Sequence, residues 1–211
     1  MTEEKIQKIK EEYEGKLDIA LQNLQSDDVS LRKKGVRHLS DRSRMALGDY
    51  KAKAVRNWFL REDIKLKMFE ITEAEKDNTI KAEMLHTLYW VCDRHATFSL
   101  RLQDLPEDEV YLKSVRLFAE KFVFDSSADV LCGVGNLLAF FKDNRAWDIF
   151  GYVLTKKRDY LTIARFIYGY NDNEGKNNIS NEQKQNLKKI LKEISSKTKN
   201  AEIKSTVKKF K

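Results

Sequence analysis

Proline and glycine, the residues that interrupt helices, are scarce here: one proline, Pro106, and eight glycines in 211 residues. So few breakers exclude a turn-rich β-fold and favour long helices. Cysteine is nearly missing as well. Cys92 and Cys132 both fall in apolar helical patterns and read as buried free thiols, which excludes a disulfide framework and fits a reducing compartment. No apolar run approaches the roughly 18 residues that span a bilayer. The start, Met1-Thr2-Glu3-Glu4-Lys5, is acidic and has no apolar core of a signal peptide. These absences together predict a cytoplasmic protein without a membrane partner.

What the chain does have is charge. Charged residues make up 35% and hydrophobic residues 41%. The apolar residues are patterned, which points to a folded chain rather than a disordered one. The net charge of +7 is unevenly spread: −4 over residues 1–31, +8 over 32–67, −5 over 68–175 and +8 over 176–211. Basic blocks of this kind bind nucleic acid or acidic proteins, or simply solvate a helix face.

Helical periodicity recurs along the whole chain, with no convincing strand. Thr2 to Gln25 carries Ile6, Ile9, Tyr13, Leu17, Leu21 and Leu24 at helical spacing, with Thr2 as a cap. Asp27 or Asp28 starts Val29 to Arg44, with Leu31, Gly35, Val36 and Leu39 inward. Tyr50 to Leu60 follows, then Ile64 to Ala74 with Leu66, Met68, Phe69 and Ile71 as core. Asp77-Asn78 opens Thr79 to Phe98. Asp104-Leu105-Pro106 and three acids open a helix to Phe122 through Val110, Val115, Leu117 and Phe118. Further helices span Ser126 to Phe141, Ala146 to Leu154 and Asp159 to Tyr168. A Lys-rich helix starts at the capping box Ser180-Asn181-Glu182-Gln183, and Asn200 to Phe210 ends the series. The most apolar stretch is Ser126–Phe141. It has a bulky Leu/Phe face and a small face of Cys132, Gly135 and Ala139, so it reads as a central, buried helix. Asp129 and Asn136 are its two polar residues, and both take a structural role.

About ten helices result, in antiparallel hairpins whose starts mostly lie near the 40–47 residue spacing of HEAT and armadillo units. Asp27-Asp28-Val29-Ser30-Leu31-Arg32-Lys33-Lys34-Gly35-Val36-Arg37-His38-Leu39 resembles the HEAT-repeat pattern of Asp, Val/Leu-Arg, small-Val and Leu. Asn78-Thr79-Ile80-Lys81-Ala82-Glu83-Met84-Leu85-His86-Thr87-Leu88 is similar, and Ser127 to Leu138 is a looser copy. The resemblance covers about half the chain. It implies an all-α, right-handed α-α superhelix over a single domain, 1–211, and a binding surface more often than an active site.

Two surfaces are candidates. On the helix Thr79–Phe98, Trp90 points away from the Leu88/Val91 side and shares a face with Glu83, His86, Asp93, Arg94 and Thr97. A tryptophan among charges is a recognition anchor for a protein partner, or it stacks on the next repeat. The second is a basic stripe of Lys33, Lys34, Arg37 and Arg44, extended by Lys51, Lys53 and Arg56, which suits nucleic-acid phosphates. The evenly spread C-terminal lysines, Lys184 to Lys211, read as solubilising. Alkylpurine DNA glycosylases of HEAT-like fold place a tryptophan and an aspartate near each other, and Trp90 and Asp93 are superficially similar to that pair. Such an activity is a remote variant of the nucleic-acid reading.

Metal, cofactor and catalytic readings have little behind them. Cys92 and His95 are three apart but have no second pair of ligands. His95 reads as a hydrogen-bonded core histidine. The loop Asn171 to Glu182 misses the calcium-loop spacing, because Ile179 follows Gly175 by four. Gly133-Val134-Gly135 has no preceding strand and no Gly-Lys-Ser/Thr. The reading is a non-enzymatic protein-interaction module, a small adaptor or inhibitor-like scaffold, with nucleic-acid binding as the alternative.

Overall fold

The structure, a computed structural model, describes residues 2–45, 49–96, 106–172 and 179–210. Among the described residues there are eleven α-helices, one π-helical turn and no strand. The chain divides into two compact units, Met1–Phe118 and Ala119–Lys211.

The first unit holds α1 (Glu3–Asn23), α2 (Val29–Ser43), α3 (Tyr50–Phe59), α4 (Glu62–Ala74) and α5 (Asn78–Trp90). The π-helical turn Val91–Ala96 continues α5, and α6 (Pro106–Glu120) follows, its last two residues counting with the second unit. The starts are set by local chemistry. Asp28 accepts from Ser30 N, Asp49 from Ala52 N, and Asp77 from Thr79 N and Ile80 N. These caps satisfy amide donors that a helix start leaves unpaired. Thr2 stands at the first cap position, but its side chain makes no capping bond.

α1 packs against both α2 and α3, and α2 against α5. Gly35 permits the first contact: a Cβ there would lie 2.5 Å from the Ala20 carbonyl oxygen. Trp58 is fully buried, and its Nε1 donates to Asp18 Oδ1 at 2.8 Å, tying α3 to α1.

Four positions depart from the helical pattern. Leu66, Leu31, Val110 and Leu117 were expected inward and are instead exposed. On α4 the inward place beside Ile64 and Met68 is taken by Lys65. Its stem is buried, and its Nζ reaches Glu62 Oε2 at 2.6 Å and sits 5.6 Å from the Tyr111 ring centroid. A long stem with a paired head fills an inward site that a leucine one place along the helix cannot reach.

The second unit holds α7 (Ala128–Phe140), α8 (Arg145–Lys156), α9 (Tyr160–Asp172), α10 (Asn181–Lys197) and α11 (Ala201–Val207). α7 packs on α8 and α9, α8 also on α10, and α9 also on α11. Helices two apart in sequence are thus neighbours, in one row of α7, α9 and α11 and another of α8 and α10.

α7 is central, with every residue from Val130 to Ala139 buried. Its small face works as the pattern requires. A Cβ at Gly135 would meet the Phe150 ring at 3.0–3.3 Å, so α8 approaches over that glycine. Asn136 is internally bonded, Nδ2 donating to Cys132 O at 2.9 Å, and a Cβ at Gly169 would lie 2.7 Å from its Oδ1. Asp129 pairs with Lys157. The helix stops at Lys142, whose φ of 58° places a lysine in the left-handed region usually left to glycine. Asp143 N then donates back to Leu138 O at 2.9 Å. The capping box at Ser180 is present in full, with Gln183 as its second member.

Candidate functional site

Three segments of the first unit meet at Trp90: the end of α2, the second half of α5 and the π-helical turn. Trp90 is half-buried, with the Arg94 guanidinium 5.3 Å and the Arg44 guanidinium 5.6 Å from its ring centroid. Both are cation–π distances. Tyr89 packs edge-on at 5.2 Å. Each arginine also has a carboxylate: Arg44 Nη2 lies 3.1 Å from Glu83 Oε1, and Arg94 Nε lies 3.3 Å from Asp93 Oδ2. Ser40 Oγ donates to Glu83 and accepts from Arg44 Nη2 at 2.8 Å.

The π-turn shapes this end of the helix. Its hydrogen bonds span one residue more than those of an α-helix, a geometry found frequently at functional sites. His95 in that turn is buried, and its Nε2 meets Ser43 O at 3.1 Å, which fastens the turn to α2. Burial, first of all, pushes its imidazole down to about 4; Arg56 and Arg94 push the same way, while the Ser43 carbonyl opposes them. His95 is thus the bonded core histidine that the apolar pattern suggested. Neighbouring Cys92 is fully buried and its thiol is raised far above its ordinary range by desolvation. Cys132 in the second unit is likewise raised, to about 11, chiefly by burial. Neither thiol has the ionised character of a nucleophile.

Trp90, Asp93 and Arg94 therefore stand together at the surface, with Arg94 exposed and Asp93 part-buried. His86 does not join them. It is buried at 3% exposure, edge-on to Tyr89. The reason is that α5 has neighbours on more than one side, so Ile80 and all of Met84–Tyr89 are covered. A polar residue on the outer stripe of an isolated helix ends up inside when another helix lies over that stripe. Thr97, placed on the same face by the periodicity, lies outside the described residues. So do residues 173–178 of the Asn171–Glu182 loop.

The basic stripe is partly neutralised. Lys33 lies 3.3 Å from Asp77, the cap of α5, and Arg44 is held by Glu83 within that helix. Arg32, beside the stripe, is bound more deeply. Its Nε donates to Glu75 Oε2 at 2.9 Å, and its Nη1 donates to the carbonyls of Ser26 and Asp27. Lys34, Arg37 and Lys53 are exposed. Lys51 lies within electrostatic reach of Glu12 on α1, and Arg56 is half-buried and donates to Asn57.

No family model, curated protein or solved structure matches the chain. Its surfaces have to be read from their own chemistry. Among the described residues no helix is long and apolar enough to cross a membrane.

Proposed function

We propose that the chain is a non-enzymatic protein-interaction module, an α-α superhelical scaffold of HEAT-like build that holds a protein partner at the Trp90 surface. The observation that carries this reading is a part-exposed tryptophan flanked by two arginines at the end of a helix. Tryptophan and arginine dominate the energetic centres of protein interfaces. The ring's partners are already in place, so little side-chain freedom is lost on binding. The two-row packing of the second unit, with helices two apart as neighbours, is the arrangement that a stack of helical hairpins produces.

In this reading Trp90 is the apolar anchor, and Arg94 and Asp93 offer a donor and an acceptor beside it. His86 acts only from below, by packing against Tyr89. The test is a pull-down from the native host with mass spectrometry, run in parallel with Trp90→Ala and Arg94→Ala. A protein retained by the wild type and lost by both variants is the expected result. Equal retention by all three chains overturns the assignment of this surface.

A further inference from the structure

A strongly basic surface lies on the second unit. The helical hairpin of α10 and α11, joined by residues 198–200, carries nine lysines and three glutamates between residues 181 and 210. Eight of the nine lysines are exposed. Lys197 reaches Glu193 at 3.0 Å, and Glu193 is also held by Arg158. None of the other eight has a carboxylate partner among the described residues. Elsewhere in this unit the long cations are engaged: Lys157 with Asp129, and Arg145 with Asp143 and Glu120. Free positive charge is therefore concentrated on one hairpin.

We infer that this hairpin docks the phosphate backbone of a nucleic-acid duplex, without reading its sequence. Three features select that occupant. Lys184, Lys188 and Lys192 repeat every fourth residue, a line of point charges about 6 Å apart along the helix axis. Leu187, Leu191, Ile194 and Ile203 are all turned into the unit's own core, and none of the exposed large apolar side chains belongs to the hairpin. It has no free apolar face to lay into a lipid interface. It also has no arginine, tryptophan or tyrosine, the residues that anchor a protein partner or, for arginine, grip a guanine edge. What is left is a set of exposed ammonium groups, which suits a dense, regular polyanion held by counterion release. This surface is independent of the Trp90 surface, so failure of either assignment leaves the other standing.

The test is fluorescence anisotropy with a labelled random duplex DNA of about 20 base pairs, titrated with the full chain between about 50 and 200 mM salt. Five neutralised phosphates give a slope of log affinity against log salt of about −4 to −5, at about −0.9 per contact. The double substitution Lys188→Glu, Lys192→Glu is expected to weaken binding at least tenfold at the lower salt and to flatten the slope by about 2. Lys34→Glu with Arg37→Glu on α2 is the control and is expected to change neither. Lys188→Gln with Lys192→Gln, which removes charge without reversing it, gives an intermediate loss, and circular dichroism melts verify that each variant is folded. No binding at the lower salt overturns the inference. So does equal loss in the α2 variant, or binding to vesicles containing about a third phosphatidylserine but not to the duplex.

Discussion

Residues 32–67 of the first unit and residues 176–211 of the second carry the same net charge, +8, yet the fold pairs them to different degrees. In the first, Arg32 is taken by Glu75, Lys33 by Asp77, and Arg44 by Glu83 and the face of Trp90. Those carboxylates come from α5 and the turn before it, more than 35 residues away in sequence. In the second, the lysines of α10 and α11 face outward, and among the described residues only Lys197 has a carboxylate. Equal charge density is thus partly drawn into packing in one place, where Lys34, Arg37 and Lys53 stay exposed, and remains almost wholly outward in the other. The difference lies in whether an acidic element is folded alongside.

The largest expected consequence is at Glu75. Its side chain is 3% exposed and does three jobs: it binds Arg32 and accepts from the amides of Lys76 and Asp77, each at 2.8 Å. Glu75→Ala leaves a mostly covered guanidinium and two amides without their acceptor. We expect a loss of about 3 kcal/mol, in the range for breaking a buried pair from one side. Glu75→Gln keeps the shape and an acceptor and should lose less. Urea denaturation of the three proteins measures both. A loss under about 1 kcal/mol for Glu75→Ala would mean that the first unit's charges are as loosely held as the second's.

Protonation separates the units next. His38, His86 and His95 all lie in the first unit, and the second has no histidine. His95 is held near 4 in the fold against an ordinary value of about 6.5, so the unfolded chain takes up its proton first as pH falls. Stability from this group is complete above about pH 6.5 and declines as pH drops towards 4. Between pH 7 and pH 5 the loss comes to about 2 kcal/mol. His38, lowered by burial and then by Arg42, works in the same direction. Amide exchange followed separately in the two units should show protection falling in the first and holding in the second, with His95→Gln flattening the trend. A parallel fall in both units would assign the pH response to something other than His95.

These assignments also mark what the sequence makes legible. The caps at Asp28, Asp77 and Ser180 are local chemistry, and they were readable because acceptor and amide lie within three residues. The small face of α7 was readable too, since Gly135 in an apolar run has one ready use, close approach by a neighbour such as Phe150. Positions decided by a distant neighbour were not readable. Leu66 turns outward while Lys65 is buried, and His86 goes inside, because α4 and α5 are covered on sides that a lone amphipathic pattern leaves open. The π-turn and the left-handed Lys142 leave no composition signal, since neither uses the glycine or proline that normally marks such geometry. For the same reason the sequence points to the 32–67 stripe as the phosphate-binding candidate and to the C-terminal lysines as solubilising, since Glu75, Asp77 and Glu83 come to lie beside that stripe only in the fold.

The smallest expected effect has the opposite sign. Lys184, Lys188 and Lys192 are spaced four apart on one helix, where like charges repel by a few tenths of a kcal/mol per pair. With no carboxylate to lose, Lys188→Ala with Lys192→Ala removes repulsion and little else. Alanine also favours the helix slightly more than lysine. The double variant should be more stable than the parent by a few tenths of a kcal/mol at low salt, and by less at high salt, where screening already suppresses the repulsion. Thermal melts at both ionic strengths measure it. A destabilisation beyond about 0.5 kcal/mol would show that these lysines have partners of their own, the exposed-surface range being narrower than that. The contrast between a bound basic block and a free one would then collapse.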